Sequence, residues 1–336
     1  MNDSDPTPAA EFHASHSGTD VEMGYAGRNT FLKGKARDVD DLDDIDVGVI
    51  GVPYDGALTN RPGARYGPES IRRASAWWAY LSNYKGGLTN MNTGAQVDFS
   101  DFQVADCGDV PVFPMDYEQT AESIRSHVAT IAEHAFPLML GGDHYCTYPA
   151  FCGFAEGSDA DSVGLVQIDA HTDTSAESAT FGKHYHGSST RLIAESQFSD
   201  FTHISQIGIR GYESPNFFEF AEDSGLNLYT MRDVHDRGID EVVVDAVEAA
   251  AANTDTVYVT FDIDAVDPSI APGTGTPEPD GLSAHQALRV MEILGTHDAI
   301  GAADLMEISP NYDPTESTQT LGAFLAVTLL ERQFAE

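Results

Sequence analysis

Three short segments of the chain concentrate Asp, His and Gly at points where an apolar run ends. They are GGDH at 141–144, DAHTD at 169–173 and FDID at 261–264. The preceding runs are typical of buried strands, and open parallel sheets bind ligands beyond the carboxyl ends of their strands. The sequence therefore predicts that the three segments meet at one edge of a sheet.

The spacing inside these segments predicts a cluster of metal ligands. Side chains two positions apart in an extended chain lie on the same side, so one strand end can offer three ligands and another can offer two. Four carboxylates and two imidazoles gathered in one place would repel one another unless cations were bound. The predicted ligands of two divalent metal ions are His144, Asp169, His171, Asp173, Asp262 and Asp264.

The ligand types also indicate which metal is bound. Hard oxygen ligands with imidazole and no thiolate favour Mn²⁺, with Ni²⁺, Co²⁺ and Fe²⁺ as alternatives. A single Asp or His at a strand end is more often a cap or a turn residue, but six at these spacings favour a metal centre. Cys146 is expected to be a small buried thiol and not a further ligand. Asp143 and Asp267 are expected to support ligands or form turns.

Eight apolar or β-branched runs are predicted to form the strands that position these ligands. They lie at 46–52, 103–106, 137–140, 163–168, 203–209, 226–230, 257–262 and 300–307, with helical patterns at 117–134, 239–252, 283–294 and 317–333. This alternation favours a single α/β domain in three layers, with a mostly parallel eight-stranded sheet between helices. A closed barrel is the alternative. Residues 1–40 lack periodicity and are predicted to form a flexible arm before a folded domain at 41–336.

The acidic composition limits the partners and the environment. The formal net charge is −37, with 54 acidic residues against 17 Lys and Arg, which excludes nucleic acid and anionic membranes as partners. Such a surface, with very few lysines, is typical of a high-salt cytoplasm, where salt screens the self-repulsion. Three cysteines give no even disulfide set, and the longest apolar stretch, 321–330, is about half a membrane span. We therefore predict a cytoplasmic protein.

These motifs resemble the ureohydrolase family, which includes arginase, agmatinase, guanidinobutyrase and formimidoylglutamase. The resemblance covers roughly residues 47–330 and identifies 41–336 as the catalytic domain. It implies an arginase-like fold, two metal ions, release of urea from a small guanidino compound, and a homo-oligomer, either trimer or hexamer. It rests on GVPYDGALTNRPGARYGPESIR at 51–72, GGDH at 141–144, DAHTD at 169–173, HG at 186–187, FDIDAVDP at 261–268 and ADLMEISP at 303–310.

The resemblance also implies roles for individual side chains. Glu307 would hold the guanidinium through paired hydrogen bonds, and His186 would shuttle a proton or orient the substrate. The leaving amine would take its proton from Asp173 or His186. For the ligands, the resemblance implies that His144 and Asp173 bind one metal, that His171 and Asp264 help to bind and bridge, and that Asp169 and Asp262 complete the pair.

Substrate choice is predicted from the loops around the centre, chiefly residues 174–185 and the wall formed by Tyr145 and residues 210–214. Arginases carry an Asn shortly after DAHTD, where this chain has Thr-Ser-Ala at 174–176, so arginase is disfavoured. The segments at 51–68 and 208–211 resemble the agmatinase and guanidinobutyrase branch, and an acidic mouth favours dicationic agmatine. Arginase and formimidoylglutamase rank below that branch.

Two other substrates remain open, and each depends on a predicted substrate contact. Guanidinobutyrate would need a cation for its carboxylate, which Arg210 or Arg191 would supply. Free guanidine would suit a pocket that Tyr145 fills, because Tyr145-Cys146-Thr147 replaces the Ser-Ile-Thr or Ser-Val-Thr more common in the family. Tyr145 and Arg210 are therefore predicted substrate contacts.

Two functions from other classes were weighed against a ureohydrolase. A single-zinc deacetylase on the related fold would use only Asp169, His171 and Asp264, and would leave the other three ligands unexplained. A non-catalytic regulatory subunit would have no need of six metal ligands. The full ligand set favours the binuclear enzyme over both.

Overall fold

The computed structural model describes residues 23–335 of the chain. Its strands are β1 (Lys35–Ala36), β2 (Val47–Gly51), β3 (Leu88–Thr89), β4 (Gln96–Val97), β5 (Val104–Asp109), β6 (Phe136–Leu140), β7 (Val163–Ile168), β8 (Ile204–Ile209), β9 (Asn227–Thr230), β10 (Thr256–Asp262) and β11 (Ile300–Met306). Its helices are α1 (Gly67–Lys85), α2 (Tyr117–Ala132), α3 (Thr147–Gly157), α4 (Ser189–Ala194), α5 (Phe217–Ser224), α6 (Met231–Arg237), α7 (Ile239–Ala251), α8 (Ala284–Leu294) and α9 (Ser317–Phe334).

Nine of these strands form one open sheet in the order β1-β5-β2-β6-β11-β10-β7-β8-β9. Every neighbouring pair in it is parallel. The predicted mostly parallel α/β fold is confirmed, and all eight predicted strands are present. The barrel alternative is wrong, because β1 and β9 lie at opposite ends of the strand order and do not pair with each other. The two-residue strand β1 makes the count nine instead of eight.

The sheet is buried on both faces by helices. All residues of β2, β6, β7 and β8 are buried, the pattern expected of parallel strands covered on both sides. Successive strand residues pack into two separate hydrophobic cores. Val49 belongs to the core that includes α7, α8 and α9, and Ile50 belongs to the core that includes α2 and α3. Burial of this kind stabilises the fold by roughly 25 cal/mol per Å² of apolar surface.

The strand order brings the chemically important chain segments together. Strands β6, β11, β10 and β7 are consecutive at the centre of the sheet. The segments that leave their carboxyl ends carry GGDH, Glu307, Asp262 with Asp264, and DAHTD respectively. Parallel pairing places all four ends at the same edge, as the sequence predicted.

The N-terminal boundary differs from the prediction of an arm over residues 1–40. Residues 1–22 lie outside the described part of the chain. Phe31 is fully buried, and its N–H donates to Asp106 Oδ2 at 2.7 Å. Lys35 and Ala36 pair with β5. The folded domain therefore begins before residue 40, because an aromatic side chain and two strand residues dock onto it.

The four predicted helices correspond to α2, α7, α8 and α9. Helix α3 was missed because it is buried over most of its length, so it lacks the polar face that gives a helical pattern. No helix within residues 23–335 is long and apolar enough to cross a membrane.

Candidate metal centre

The imidazole of His144 lies at the meeting point of three carboxylates. His144 begins a short 3₁₀ turn just beyond β6. Its Nδ1 is 3.0 Å from Asp169 Oδ2, 3.1 Å from Asp173 Oδ2 and 3.2 Å from Asp262 Oδ2. This nitrogen is buried yet has no hydrogen bond of acceptable geometry. A buried nitrogen surrounded by carboxylates but aligned with none of them fits a site built for a cation.

A second cluster adjoins the first and shares one carboxylate with it. His171 Nδ1 is 3.1 Å from Asp264 Oδ2 and 3.7 Å from Asp169 Oδ1. The two groups able to hold a metal ion are therefore His144 with Asp169 and Asp173, and His171 with Asp169 and Asp264. Asp169 presents one oxygen to each group. Asp169 is thus the residue common to both groups. The family resemblance instead implied that His171 and Asp264 help to bridge the metals.

The electrostatics of the clusters show a surplus of negative charge. Burial opposes a charged His144, but its close contacts with the carboxylates of Asp169, Asp173 and Asp262 outweigh burial and raise the pKa of His144 well above 6.5. Burial also opposes a charged His171, yet the nearby Asp264 and Asp169 carboxylates raise its pKa to about 12. Burial and two neighbouring carboxylates raise the pKa of Asp262. Divalent cations would take the place of these retained protons, so the donor set fits two metal ions.

Neighbouring side chains hold the carboxylates in place. Gln167 Nε2 donates to Asp169 Oδ2 at 2.7 Å, and Thr276 Oγ1 donates to Asp264 Oδ2 at 3.1 Å. Ser189 Oγ donates to Asp173 Oδ2 at 3.3 Å. Such outer contacts orient metal ligands and tune their basicity.

Glu307 lies beside the clusters without belonging to them. Its backbone has a φ of 63°, a left-handed conformation that is uncommon for Glu and is found at functional sites. Oε1 accepts a hydrogen bond from the His144 N–H at 3.0 Å and lies 3.1 Å from His186 Nδ1. Oε2 is buried and has no hydrogen-bond partner. A buried carboxylate oxygen left in this state is a ready acceptor for a cationic ligand.

His186 connects Glu307 to a cleft. Its Nδ1 faces Glu307 Oε1, and its Nε2 lies 2.7 Å from the hydroxyl of Thr59. Burial opposes the charged ring, but the hydrogen bond and the charge of Glu307 outweigh burial and raise the pKa of His186 to about 9. The ring is therefore protonated at neutral pH and is able to give up a proton.

The cleft has a volume of about 220 Å³ and contains parts of both clusters. Among the described residues that line it there is no Lys or Arg. Of its lining residues, the metal ligands and His186 were predicted at the site, and the loops at 174–185 and 210–214 were predicted to select the substrate. Thr276 was not predicted, because it lies in a segment without a recognised motif. The lining consists of Thr59, His171, Thr172, Asp173, Ser175, Tyr185, His186, Gly187, Glu213, Asp262 and Thr276.

Two predicted substrate contacts lie elsewhere. Tyr145 is buried, with its hydroxyl 3.4 Å from His184 Nδ1, and does not line the cleft. The guanidinium of Arg210 donates to backbone carbonyls, those of Gly208, Asp264, Ala265, Glu278 and Pro279. Neither residue lines the cleft: Tyr145 is packed in the core, and Arg210 joins loops through their backbone carbonyls.

The residues next to Tyr145 have the supporting roles that the sequence indicated. Cys146 is fully buried and has no disulfide partner. Asp143 is buried and accepts a hydrogen bond from the Ala57 N–H at 2.8 Å, and its burial raises its pKa to about 7. Neither Cys146 nor Asp143 is among the residues that line the cleft.

Comparisons with known proteins agree with this geometry. The model of the Arginase family matches residues 45–331. A mitochondrial agmatinase from Gallus gallus is 37% identical over 288 residues, which are 85% of this chain and 80% of that protein. A guanidinopropionase from Pseudomonas aeruginosa is 34% identical and covers 91% of this chain and 92% of its own length. The structure of proclavaminate amidino hydrolase from Streptomyces clavuligerus superposes with a TM-score of 0.81 at 31% identity, covering 92% of this chain and 98% of the other. The six predicted ligand positions fall within the residues that match the family model, and the chain belongs to the arginase family.

Proposed function

We propose that this enzyme hydrolyses agmatine to urea and butane-1,4-diamine, using two divalent metal ions. The observation that carries the proposal is that Asp169 is shared by two His–Asp clusters, beside the buried and unpartnered Oε2 of Glu307. The first feature suits a pair of cations, and the second suits a guanidinium group. The ligands would be His144, Asp169, His171, Asp173, Asp262 and Asp264.

The reaction must overcome the poor reactivity of the guanidinium carbon. Divalent cations, when bound here, would supply a water molecule of lowered pKa. Glu307 would bind the planar guanidinium through Oε2, while the His144 N–H and His186 hold its other oxygen. The water oxygen adds to the guanidinium carbon, and the bond from that carbon to the tail nitrogen then breaks.

The leaving nitrogen needs a proton as that bond breaks. His186 is positioned to give it, since its ring lines the cleft and is held protonated beside Glu307. Asp173 is the other candidate, because it lines the same cleft and burial raises its pKa. Separate His186→Asn and Asp173→Asn variants, each with its metal content measured, distinguish a proton donor from a ligand.

The charges around the cleft favour agmatine over guanidino acids. A carboxylate tail would need a free cation, yet Arg210 is bonded to backbone carbonyls. Arg191 Nε donates to the Thr174 carbonyl at 2.7 Å, and its guanidinium stacks on Phe201 and Phe220. Relatives named as agmatinases support the same substrate. Relatives named for guanidino acids make those compounds the second candidates.

The metal and the assembly belong to the same proposal. We propose Mn²⁺ as the metal, on the hardness of four carboxylates and two imidazoles. We also propose a homo-oligomeric enzyme of a salt-rich cytoplasm, on the family resemblance and the net charge of −37. Elemental analysis of the purified protein and sedimentation in molar salt test these two points.

A urea-release screen tests the proposed function. Purified protein is assayed in molar salt with Mn²⁺ or Ni²⁺ against agmatine, 4-guanidinobutyrate, 3-guanidinopropionate, arginine and guanidine. We expect agmatine to have the highest kcat/KM. Release of urea from none of them would overturn the proposal. One bound metal per chain, in protein saturated with metal, would instead favour a mononuclear enzyme of the deacetylase type.

A further inference from the structure

We propose that Glu213 is a specificity-determining residue that binds the ammonium end of the substrate. This inference rests on the proposed hydrolysis of a guanidino compound at the same cleft. It extends that function by naming the side chain that selects the ammonium tail. The sequence pointed to the loop at 210–214 as part of the pocket wall, but not to this side chain.

The position of Glu213 is fixed by hydrogen bonds at the rim of the cleft. Glu213 lines the cleft, and its Oε2 accepts a hydrogen bond from the Thr172 hydroxyl at 2.7 Å. Thr172 is only 3% exposed and directly precedes the ligand Asp173 in the chain. The other oxygen of Glu213 accepts from the Ser214 N–H. Each carboxylate oxygen accepts more than one hydrogen bond, so acceptor capacity remains for a ligand.

The loop that carries Glu213 is fastened to the metal centre by Arg210. Arg210 Nη2 donates to the carbonyl of the ligand Asp264 at 2.6 Å and to that of Glu278 at 2.8 Å. Gly211, with a φ of 72°, turns the chain immediately after it. A loop tied at this point holds Glu213 at a set distance from the ligands, which a substrate of fixed length requires.

The two ends of the site match the two ends of a dication. Glu307 offers a buried carboxylate oxygen beside the clusters, and Glu213 offers a carboxylate at the exposed rim. A guanidinium joined by a short alkyl chain to an ammonium is complementary to both. A carboxylate tail would meet Glu213 instead of a cation, because no Lys or Arg is among the described lining residues. Repulsion of the wrong tail adds to attraction of the right one.

The test measures kcat/KM for urea release from three substrates that differ in their tails. It uses wild type and the variants Glu213→Gln and Glu219→Gln. Agmatine has an ammonium tail, 4-guanidinobutyrate a carboxylate tail, and n-butylguanidine an uncharged one. Glutamine keeps an acceptor for Thr172 but removes the charge. Glu219 is an exposed carboxylate on α5 that does not line the cleft, so its variant controls for loss of one negative charge.

We expect Glu213→Gln to lower the ratio of kcat/KM for agmatine over n-butylguanidine about fivefold, mainly through KM, as for a partly exposed ion pair. The ratio of guanidinobutyrate over n-butylguanidine should rise. The inhibition constant of the product butane-1,4-diamine should increase by a similar factor. This constant reports on the same contact at equilibrium. Glu219→Gln should leave all three values as in wild type.

The outcomes separate this inference from the proposed function. Unchanged selectivity in Glu213→Gln, or the same change in Glu219→Gln, would overturn the role of Glu213 while urea release stood. A wild-type preference for guanidinobutyrate would overturn it as well. Absence of urea release from all three compounds in wild type would overturn the proposed function itself.

Discussion

Thr260 on β10 contacts the side of the His144 imidazole that faces away from the carboxylates. Its Oγ1 lies 2.8 Å from His144 Nε2. The contact leaves Nδ1 directed at the carboxylates of the metal centre. Behind Thr260 lies Asp304, a buried carboxylate that accepts hydrogen bonds from Thr147 Oγ1 at 2.9 Å and Tyr258 OH at 3.0 Å. His144 is thus oriented by side chains on β10 and β11 that do not touch the cleft.

We expect Thr260→Val to weaken metal binding about 10- to 100-fold, the usual effect of removing an outer contact of a metal-bound imidazole. Valine preserves the shape and the strand preference of Thr260 but cannot hydrogen-bond to Nε2. Thr260→Ser retains a hydroxyl and is the matched control. Competition with a metal chelator measures both variants. Equal affinities in wild type and Thr260→Val would show that the contact does not orient His144.

Glu307→Gln should retain both metals yet lose most of the activity. Glutamine can still accept the His144 N–H bond, but it removes the negative charge that Oε2 offers to the guanidinium. A hydrogen bond to a charged group contributes about 1.5–3 kcal/mol, and misplacement of the reacting carbon lowers the rate further. Urea release and metal content are measured on the same sample. Near-normal turnover with both metals bound would move the guanidinium site elsewhere.

The sequence predicted the metal ligands better than the substrate pocket, for a physical reason. Asp169, His171 and Asp173 share one strand end, so their relation is local and visible as alternation. Parallel pairing of β6, β7 and β10 then brings the other ligands to the same edge. Strand order was not needed to expect this, because all parallel strands end on one side.

The residues missed by sequence reasoning depend on contacts between distant segments. Glu213 reaches the cleft through Thr172, 41 positions earlier, and Thr59 meets His186 across 127 positions. Both lie in segments that the sequence identified, but nothing within those segments marked these two side chains. Arg210 was predicted to contact the substrate because it is a cation near the motifs. In the structure its N–H groups donate to carbonyls of loops far away in the chain.

The pairing of His186 with Glu307 should make the stability of the metal-free protein depend on pH. The pKa of His186 is raised from 6.5 to about 9 in the folded state. A raised pKa stabilises the folded protein fully below pH 6.5, and that contribution is lost as pH rises through 9. The contribution is about 3 kcal/mol, taking about 1.4 kcal/mol for each pH unit.

Denaturant unfolding of chelated wild type and His186→Asn at pH 6, 7.5 and 9 measures this contribution. The difference in unfolding free energy between the two proteins should shrink steadily from pH 6 to pH 9. Comparison with the variant removes the effects of other groups that titrate in the same range. A constant difference would mean that the His186 ring does not gain its proton on folding.

Removal of salt should destabilise the protein. The net charge of −37 is spread along the chain, and self-repulsion of the folded state grows as screening weakens. The Debye length increases from about 3 Å at 1 M salt to about 10 Å at 0.1 M, so carboxylates on neighbouring parts of the surface begin to repel one another.

We expect Tm and urea release to fall together as NaCl is reduced from molar to millimolar concentration. The measurement is made with saturating Mn²⁺, which excludes metal loss as the cause. KCl at the same ionic strength is the control, since screening depends on ionic strength, and it should restore Tm as NaCl does. A Tm that stays the same over this range would refute adaptation to high salt.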